Sequence, residues 1–232
     1  REDALKAFTQ AYLAGVAAVD ECIGEIVDAI DSSPDPSIRD NTIIVVTSDH
    51  GWNMGEKDYL FKNSPWEEST RVPFIIRVPG LKEPGTRCQQ PISLIDLYPT
   101  LIDLCALAGD TRKNKQGAKL DGHSIRPLIE NPEQGNWEGP DSALSMIFVG
   151  EYLKLDKNQK FNLKNQNWSI RSANWRYILY RNGSEELYDH HNDPHEWNNL
   201  ATHQDYQSML QSMRVRLNEM VPELQINTQN FN

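Results

Sequence analysis

Asn41 to Pro73 reads NTIIVVTSDHGWNMGEKDYLFKNSPWEESTRVP. Within it Ile43 to Thr47 is an unbroken apolar and β-branched run, the composition of a strand buried on both faces of a parallel sheet. Ser48, Asp49, His50 and Gly51 follow at once. A carboxylate and an imidazole therefore stand at the carboxyl end of a central strand, where open α/β sheets hold their ligands. That pattern predicts half of a metal site. Asp49 and His50 are too few alone, because an oxygen-binding divalent cation takes about six ligands and zinc about four. Lys62 lies thirteen residues beyond Asp49, in a loop that also carries Trp52, Glu56, Lys57, Asp58 and Trp66. An ammonium beside a metal suits an anionic group such as sulfate or phosphate, and Gly51 and Gly55 allow tight turns. Taken alone, Asp-His-Gly after a strand is as often a plain turn, and a single lysine is usually solvated.

Working outward, residues 3–31 place Leu5, Phe8, Tyr12, Val16, Val19, Ile23, Ile26 and Ile30 at steps of three and four, which predicts an amphipathic helix. Gly15 and Gly24 are expected to permit close packing against the sheet. The prolines and short polar residues from Asp31 to Ser37, with Pro34 and Pro36 among them, end the helix. Phe74 to Val78 reads as a second buried strand. A helix follows from Pro99, with Leu101, Leu104, Cys105 and Ala108 as its apolar stripe and Gly109 as its stop. From about residue 140 the pattern changes to short strands at 146–149, 168–171, 176–180 and 186–188. Turn signals such as Asn182-Gly183 separate them, so a small antiparallel sheet is expected, with an amphipathic helix from Met209 to Val221 covering one face.

A formal net charge of −10 over 232 residues argues against a nucleic-acid partner, whose recognition needs basic surface. The one basic stretch runs from Arg112 to Arg126, with Lys113, Lys115 and Lys119, and reads first as a charged loop. Cys22, Cys88 and Cys105 form neither a CxxC pair nor a disulfide framework. No segment approaches the apolar length of a membrane span, and no signal peptide is visible. Asn167-Trp-Ser and Asn182-Gly-Ser fit the glycosylation acceptor pattern. His190, His191 and His195 invite a metal reading; a turn is what a family resemblance of their segment implies for them.

TSDHGWNMGE (47–56), Lys62 and STRVPFIIRVPG (69–80) resemble the second metal-binding segment of the sulfatases, within the alkaline-phosphatase-like superfamily. YLAGVAAVDECIGEIVDAI before them, DGHSIRPLI at 121–129, SIRSANWRYILY at 169–180 and ELYDHHNDPHEWNNLA at 186–201 extend the resemblance over nearly the whole chain. It implies that Asp49 and His50 ligate the metal, calcium in the family, although a histidine ligand would equally suit manganese or zinc. It implies too that Lys62 contacts the sulfate catalytically. His50, Trp52 and the SIR around Arg171 bring the chain nearest to the iduronate-2-sulfatase-like branch. On that reading Trp52, Lys57 and Arg171 join Lys62 in binding substrate, Lys57 standing where many members have histidine. The fold implied is α/β: residues 1–140 form the C-terminal part of the large catalytic domain. Residues 141–232 form a small α+β subdomain with an antiparallel sheet and a C-terminal helix.

The family nucleophile is a formylglycine made within Cys/Ser-x-Pro/Ala-x-Arg. None of the contexts of Cys22 (CIGEI), Cys88 (CQQPI) and Cys105 (CALAG) fits that signature, nor does any serine. The chain is therefore expected to be the C-terminal portion of a sulfatase acting on sulfate esters of sugars, a fragment inactive alone and partnered by an N-terminal half. Family likeness implies export, to a periplasmic, extracellular or lysosomal space. Two alternatives stand beside this: a phosphatase or phosphonate-monoester hydrolase of the same superfamily, and a non-catalytic sulfated-glycan-binding module using the 112–126 loop.

Overall fold

The computed structural model describes residues 2–81, 85–108, 116–133, 135–149 and 162–226. The chain divides into two compact units, Arg1–Lys62 with Arg71–Gly85 and Asn63–Thr70 with Thr86–Asn232.

The first unit opens with helix α1 (Glu2–Asp31), whose first turn carries Glu2 and Asp3, charges that favour a helix N-terminus. The expected amphipathic helix is present, yet none of its residues is buried. Val19 is 59% exposed and Ile26 60%. Gly15 and Gly24 do not make the expected close approach, since nothing stands within 4 Å of where a Cβ would lie. A short helix α2 (Pro36–Arg39) is capped by Asp35, whose carboxylate accepts from Ser37 N at 2.9 Å.

Strand β1 (Ile44–Thr47) pairs with β4 (Phe74–Arg77), Ile44 opposite Arg77 and Thr47 opposite Phe74. This corrects the expected pairing, because the two strands run antiparallel rather than as members of a parallel sheet. They are also only half-buried, and Ile75 is 62% exposed. An apolar run records that a strand wants cover; it specifies neither the direction of its neighbour nor where the cover comes from. Between these strands β2 (Asn53–Met54) and β3 (Leu60–Phe61) form a two-rung hairpin. Arg77 forks onto the Asp31 carboxylate at 2.6 and 2.9 Å, tying the end of α1 to this sheet.

The second unit contains α3 (Glu67–Thr70), α4 (Leu97–Leu104) and α5 (Arg126–Glu130). Helix α4 ends earlier than the sequence predicts, at Cys105 with Ala106 in the left-handed region (φ 49°), and Gly109 lies outside the described residues. The DGHS segment docks on α4: buried Asp96 accepts from Ser93 N and His123 N, each at 2.8 Å, and Thr100 Oγ1 accepts from Ile125 N at 3.0 Å. Gly122 is required there. A Cβ on it would stand 2.2 Å from the Ile95 carbonyl oxygen.

The expected antiparallel sheet has four strands in the order β5 (Ser142–Ile147), β6 (Asn167–Ser172), β7 (Trp175–Leu179), β8 (Glu185–Asp189). Asn182-Gly183 makes its β7–β8 turn, with Gly183 at φ 83° and Tyr180 N donating to Ser184 O at 2.9 Å. Register puts Leu144, Ile170, Tyr177 and Leu187 in one row. Helix α6 (Gln207–Met220) covers that face with Leu210, Met213 and Leu217, spaced to share one side of a helix.

Because side chains alternate along a strand, the opposite face carries Ser169, Arg171, Arg176, Ile178, Glu186 and Tyr188. The segment 63–70 lies on it. Ser169 Oγ donates to Pro65 O at 2.9 Å, Trp66 Nε1 donates to Glu186 at 2.9 Å, and Glu67 N donates to Glu196 at 3.0 Å. Arg176, 1% exposed, donates to the Glu67 and Glu196 carboxylates, to Pro65 O at 3.2 Å and to Ser169 Oγ at 2.7 Å. His190 Nε2 adds a bond to Glu196 at 2.8 Å, and Arg171 Nε one to Glu67 at 3.2 Å. Burial alone would raise both carboxyl pKa values, but Arg176, with Arg171 and His190 at Glu67 and with His190 at Glu196, holds them below the usual range.

Gly122→Ala is expected to lower unfolding free energy by about 1–3 kcal/mol, the usual cost of overpacking against backbone, read from urea titration. Acid supplies a second test. A carboxyl whose folded pKa is lowered contributes stability that is complete above its unfolded pKa, about 4.3 for Glu, and is lost as pH falls through the folded value. The urea midpoint should therefore fall from neutral pH into the acid range. In Glu67→Gln it should start lower and fall less steeply; an equally steep acid limb would contradict the account.

Candidate metal and anion site

Asp49, His50 and Lys62, expected together from their spacing, are brought together. The β1 strand ends at Thr47, and Ser48 Oγ donates to His50 O at 2.8 Å, closing the turn that presents the two donors. His50 Nδ1 faces Gly51 O at 2.8 Å. A carbonyl oxygen only accepts, so Nδ1 carries the proton and Nε2 keeps its lone pair. Lys62 Nζ donates to that lone pair at 2.8 Å.

The 53–61 hairpin returns the chain so that Lys62 meets His50. Gly55 (φ 114°) starts its turn, Gly55 N donates to Tyr59 O at 3.0 Å, and Glu56 accepts from Met54 N at 2.5 Å. Lys57 (φ 55°), Asp58 (φ 56°) and Phe61 (φ 117°) adopt positive φ without being glycine, a cost that loops at functional sites commonly carry. Nothing in their identities announces it.

The donor set fits a cation. Asp49 Oδ1 lies 3.5 Å from His50 Nε2, and both atoms carry lone pairs. A carboxylate oxygen and an imidazole nitrogen so close together are donors that would suit a divalent cation. The Lys62 ammonium occupies the Nε2 lone pair, so a cation there would take its place. Asp49 is 87% exposed, leaving its carboxylate open to further ligation.

Trp52 stacks 6.4 Å from Phe8 and packs edge-on at 5.9 Å to Phe61, with the His50 ring 6.5 Å away. Its Nε1 is buried without a hydrogen-bond partner among the described residues. Arg171 belongs to the other unit, where Glu67 engages it. Of the basic stretch, Arg112, Lys113 and Lys115 lie outside the described residues. Arg126 is taken up by Asp103 (3.1 Å) and Glu130 (2.7 Å).

Sequence reasoning missed the Glu67, His190 and Glu196 group, the one set of three such side chains among the described residues that could face a metal ion. Arg176 occupies the space between the two carboxylates, so this is an ion-pair cluster and not a metal site. Its signal was a charged residue, Arg176, in the middle of an otherwise apolar strand. His191 and His195 are exposed in the turn expected for them.

Comparisons with known proteins bear on the family of the chain. A sulfatase from Formosa agariphila is 31% identical over 91% of this chain and 36% of its own length. A structure solved with its substrate D-glucosamine-2-N,6-O-disulfate superposes with a TM-score of 0.68 at 26% identity, over 91% of this chain and 41% of that one. The phosphonate monoester hydrolase of Agrobacterium radiobacter gives 0.72 at 27% identity, over 90% and 40%. The chain thus spans about two fifths of the relatives it matches. A family model for sulfatases matches residues 2–107, and one described as N-sulphoglucosamine sulphohydrolase, C-terminal, matches residues 55–223. With most of its length so matched, the chain belongs to the sulfatase family.

Proposed function

We propose that this chain is the C-terminal portion of a metal-dependent sulfatase that hydrolyses sulfate esters of sugars. The convergence of Asp49, Nε2 of His50 and the Lys62 ammonium that donates to it carries the reading. Asp49 and His50 would hold a divalent cation, calcium on the family likeness. Bound there, such an ion supplies positive charge that draws sulfate oxygens and offsets charge developing on them. Lys62 would leave His50 for the sulfate or its leaving oxygen, where a fixed ammonium is worth most in a water-poor site. Gly51 O keeps the imidazole in the tautomer this requires. The nucleophile, a formylglycine, and the remaining ligands belong to an N-terminal half of the same protein. Residues 1–140 would complete the large domain with it, leaving 141–232 as the small subdomain. The exposed apolar stripe of α1 and Ile75 supports such a partner, because apolar surface of this kind marks an interface.

Lys57 and Trp52 stay on the substrate side of the proposal, together with the iduronate-like branch. Arg171 could reach a substrate only by leaving Glu67. The disulfated sugar bound by the similar protein supports a sugar substrate here. Export to a periplasmic, extracellular or lysosomal space belongs to the same reading; no described helix is long and apolar enough to cross a membrane. The glycan-binding module loses support because Arg126 is already paired.

In the intact enzyme, Lys62→Ala is expected to lower kcat/KM for a glucosamine sulfate by about 10²–10³-fold, as loss of a transition-state donor does, with bound metal unchanged. Asp49→Ala and His50→Ala should abolish metal binding by calorimetry. Faster turnover of a phosphonate monoester than of the sulfate ester, or a silent Lys62→Ala, would overturn the assignment.

A further inference from the structure

His50 and Lys62 can act on one anion only if the end of β1 and the far arm of the 53–61 hairpin stay together. That hairpin has two rungs, and one further backbone bond, Gly55 N to Tyr59 O at 3.0 Å, closes its turn. So short a ribbon is marginal in water by itself. Lys57, Asp58 and Phe61 within it also carry positive φ, a strain that persists only where neighbours hold it. Trp52 lies where such a hold is needed. Its ring centroid is 6.5 Å from that of His50, two residues before it, and 5.9 Å from that of Phe61, the residue that precedes Lys62. One indole thus packs against both arms of the site.

Helix α1 holds the same indole. Phe8 stacks on it at 6.4 Å, and Tyr12 lies at 6.4 Å, tilted by 33°. Four apart on a helix, these two share one face. Leu5, three residues before Phe8, meets the hairpin turn: its Cδ2 stands 3.0 Å from where a Cβ on Gly55 would lie. This end of the stripe is the better covered, with Phe8 39% exposed against 59% for Val19. Trp52 Nε1 has no hydrogen-bond partner among the described residues, so ring contacts and not a polar bond set where the indole lies. All of these residues belong to the first unit. We infer that Trp52 is a positioning residue for the His50–Lys62 pair, braced on α1 by Phe8 and Tyr12, an inference that rests on the catalytic role proposed for Lys62. That task is separate from any contact the indole makes with substrate.

Carbethoxylation by diethyl pyrocarbonate tests the inference without needing turnover, because the reagent takes an unprotonated ring nitrogen and Lys62 covers Nε2 of His50. The intact protein is stripped of metal with a chelator and labelled at about pH 8, where an ordinary imidazole is neutral. Mass spectrometry then reads His50 against the exposed His191 and His195. In Trp52→Leu the His50 rate should rise by about 2- to 10-fold, the range opened by losing ring contacts of ordinary strength. Phe8→Leu should raise it too, and Trp52→Phe, which keeps a ring against His50 and Phe61, should regain most of the protection. Tyr98→Leu, which removes an exposed ring from the second unit, should leave it unchanged. An unchanged His50 rate in a folded Trp52→Leu, an equal rise in Tyr98→Leu, or no protection regained in Trp52→Phe overturns the inference. Should Trp52→Leu fail to fold, Phe8→Leu, at a partly exposed helix position, carries the test by the same criteria. In turnover Phe8→Leu, one ring removed from the site, should lower kcat with KM within about twofold, the split left by a group needed chiefly in the transition state. A raised KM with kcat and labelling unchanged would reduce the indole to a substrate contact and overturn the positioning. If the labelling moves as expected while the unsubstituted enzyme leaves sulfate esters untouched, the positioning stands and the sulfatase assignment fails.

Discussion

Arg176 is the residue on which the second unit depends. A guanidinium removed from water is tolerable only when its donors are matched, and here two carboxylates, a hydroxyl and a carbonyl match them. Each carboxylate is in turn held by further donors, so no member can be removed without leaving a buried charge. Removing one partner of such a pair typically costs about 3–5 kcal/mol. Pro65 and Ser169 are 104 residues apart in sequence. A closure that long is expensive in chain entropy, and the density of ion pairs at this spot is what offsets it. The left-handed backbone of Glu196 (φ 59°) is another local cost accepted for the same contacts.

The first unit is built differently. Its helix has an apolar stripe but no buried residue, and its sheets, among the described residues, are a four-residue pair and a two-rung hairpin. Isolated two-stranded sheets and uncovered helices are marginal in water. The chemistry-bearing turn therefore rests on elements that the described residues leave largely uncovered. The second unit, by contrast, owns a core of Trp168, Ile170, Tyr177, Leu187, Leu210, Met213 and Leu217.

Much of this was legible in the sequence because two periodicities are strong. The three-four spacing from Leu5 to Ile30 gave α1 nearly to the residue, and Asn182-Gly183 gave the β7–β8 turn. The strand end before Asp49 and His50 was legible in the apolar run, whereas the link from them to Lys62 came from the family resemblance; the structure puts the Lys62 ammonium on His50. The direction of β1 against β4 was not, since an apolar run is the same read in either pairing. Nor was the second face of the small sheet. Ser169, Arg176 and Glu186 look like solvent-side residues of a one-faced sheet until the segment that covers them is known, and that segment comes from far upstream. Helix α4 stops at its Cys105 cap rather than at Gly109 because the backbone at Ala106 turns left-handed without the residue that usually announces it.

The stretch 41–73 thus does several jobs in one pass. It supplies β1, turns out two lone-pair donors, folds a strained hairpin that returns Lys62 to His50, and then runs onto the small sheet before re-entering as β4. Thr47 and Phe74 are cross-strand partners, so residues 48–73 form a loop closed at its base by β-sheet hydrogen bonds. Residues 63–70, toward its C-terminal end, are held by Arg176 and its acceptors within the second unit. Loop entropy grows with length, and the hairpin between His50 and Lys62, closed by the Gly55 N to Tyr59 O bond, shortens the free chain that separates them. Precision in a site borne on a loop comes from such ties rather than from the loop itself.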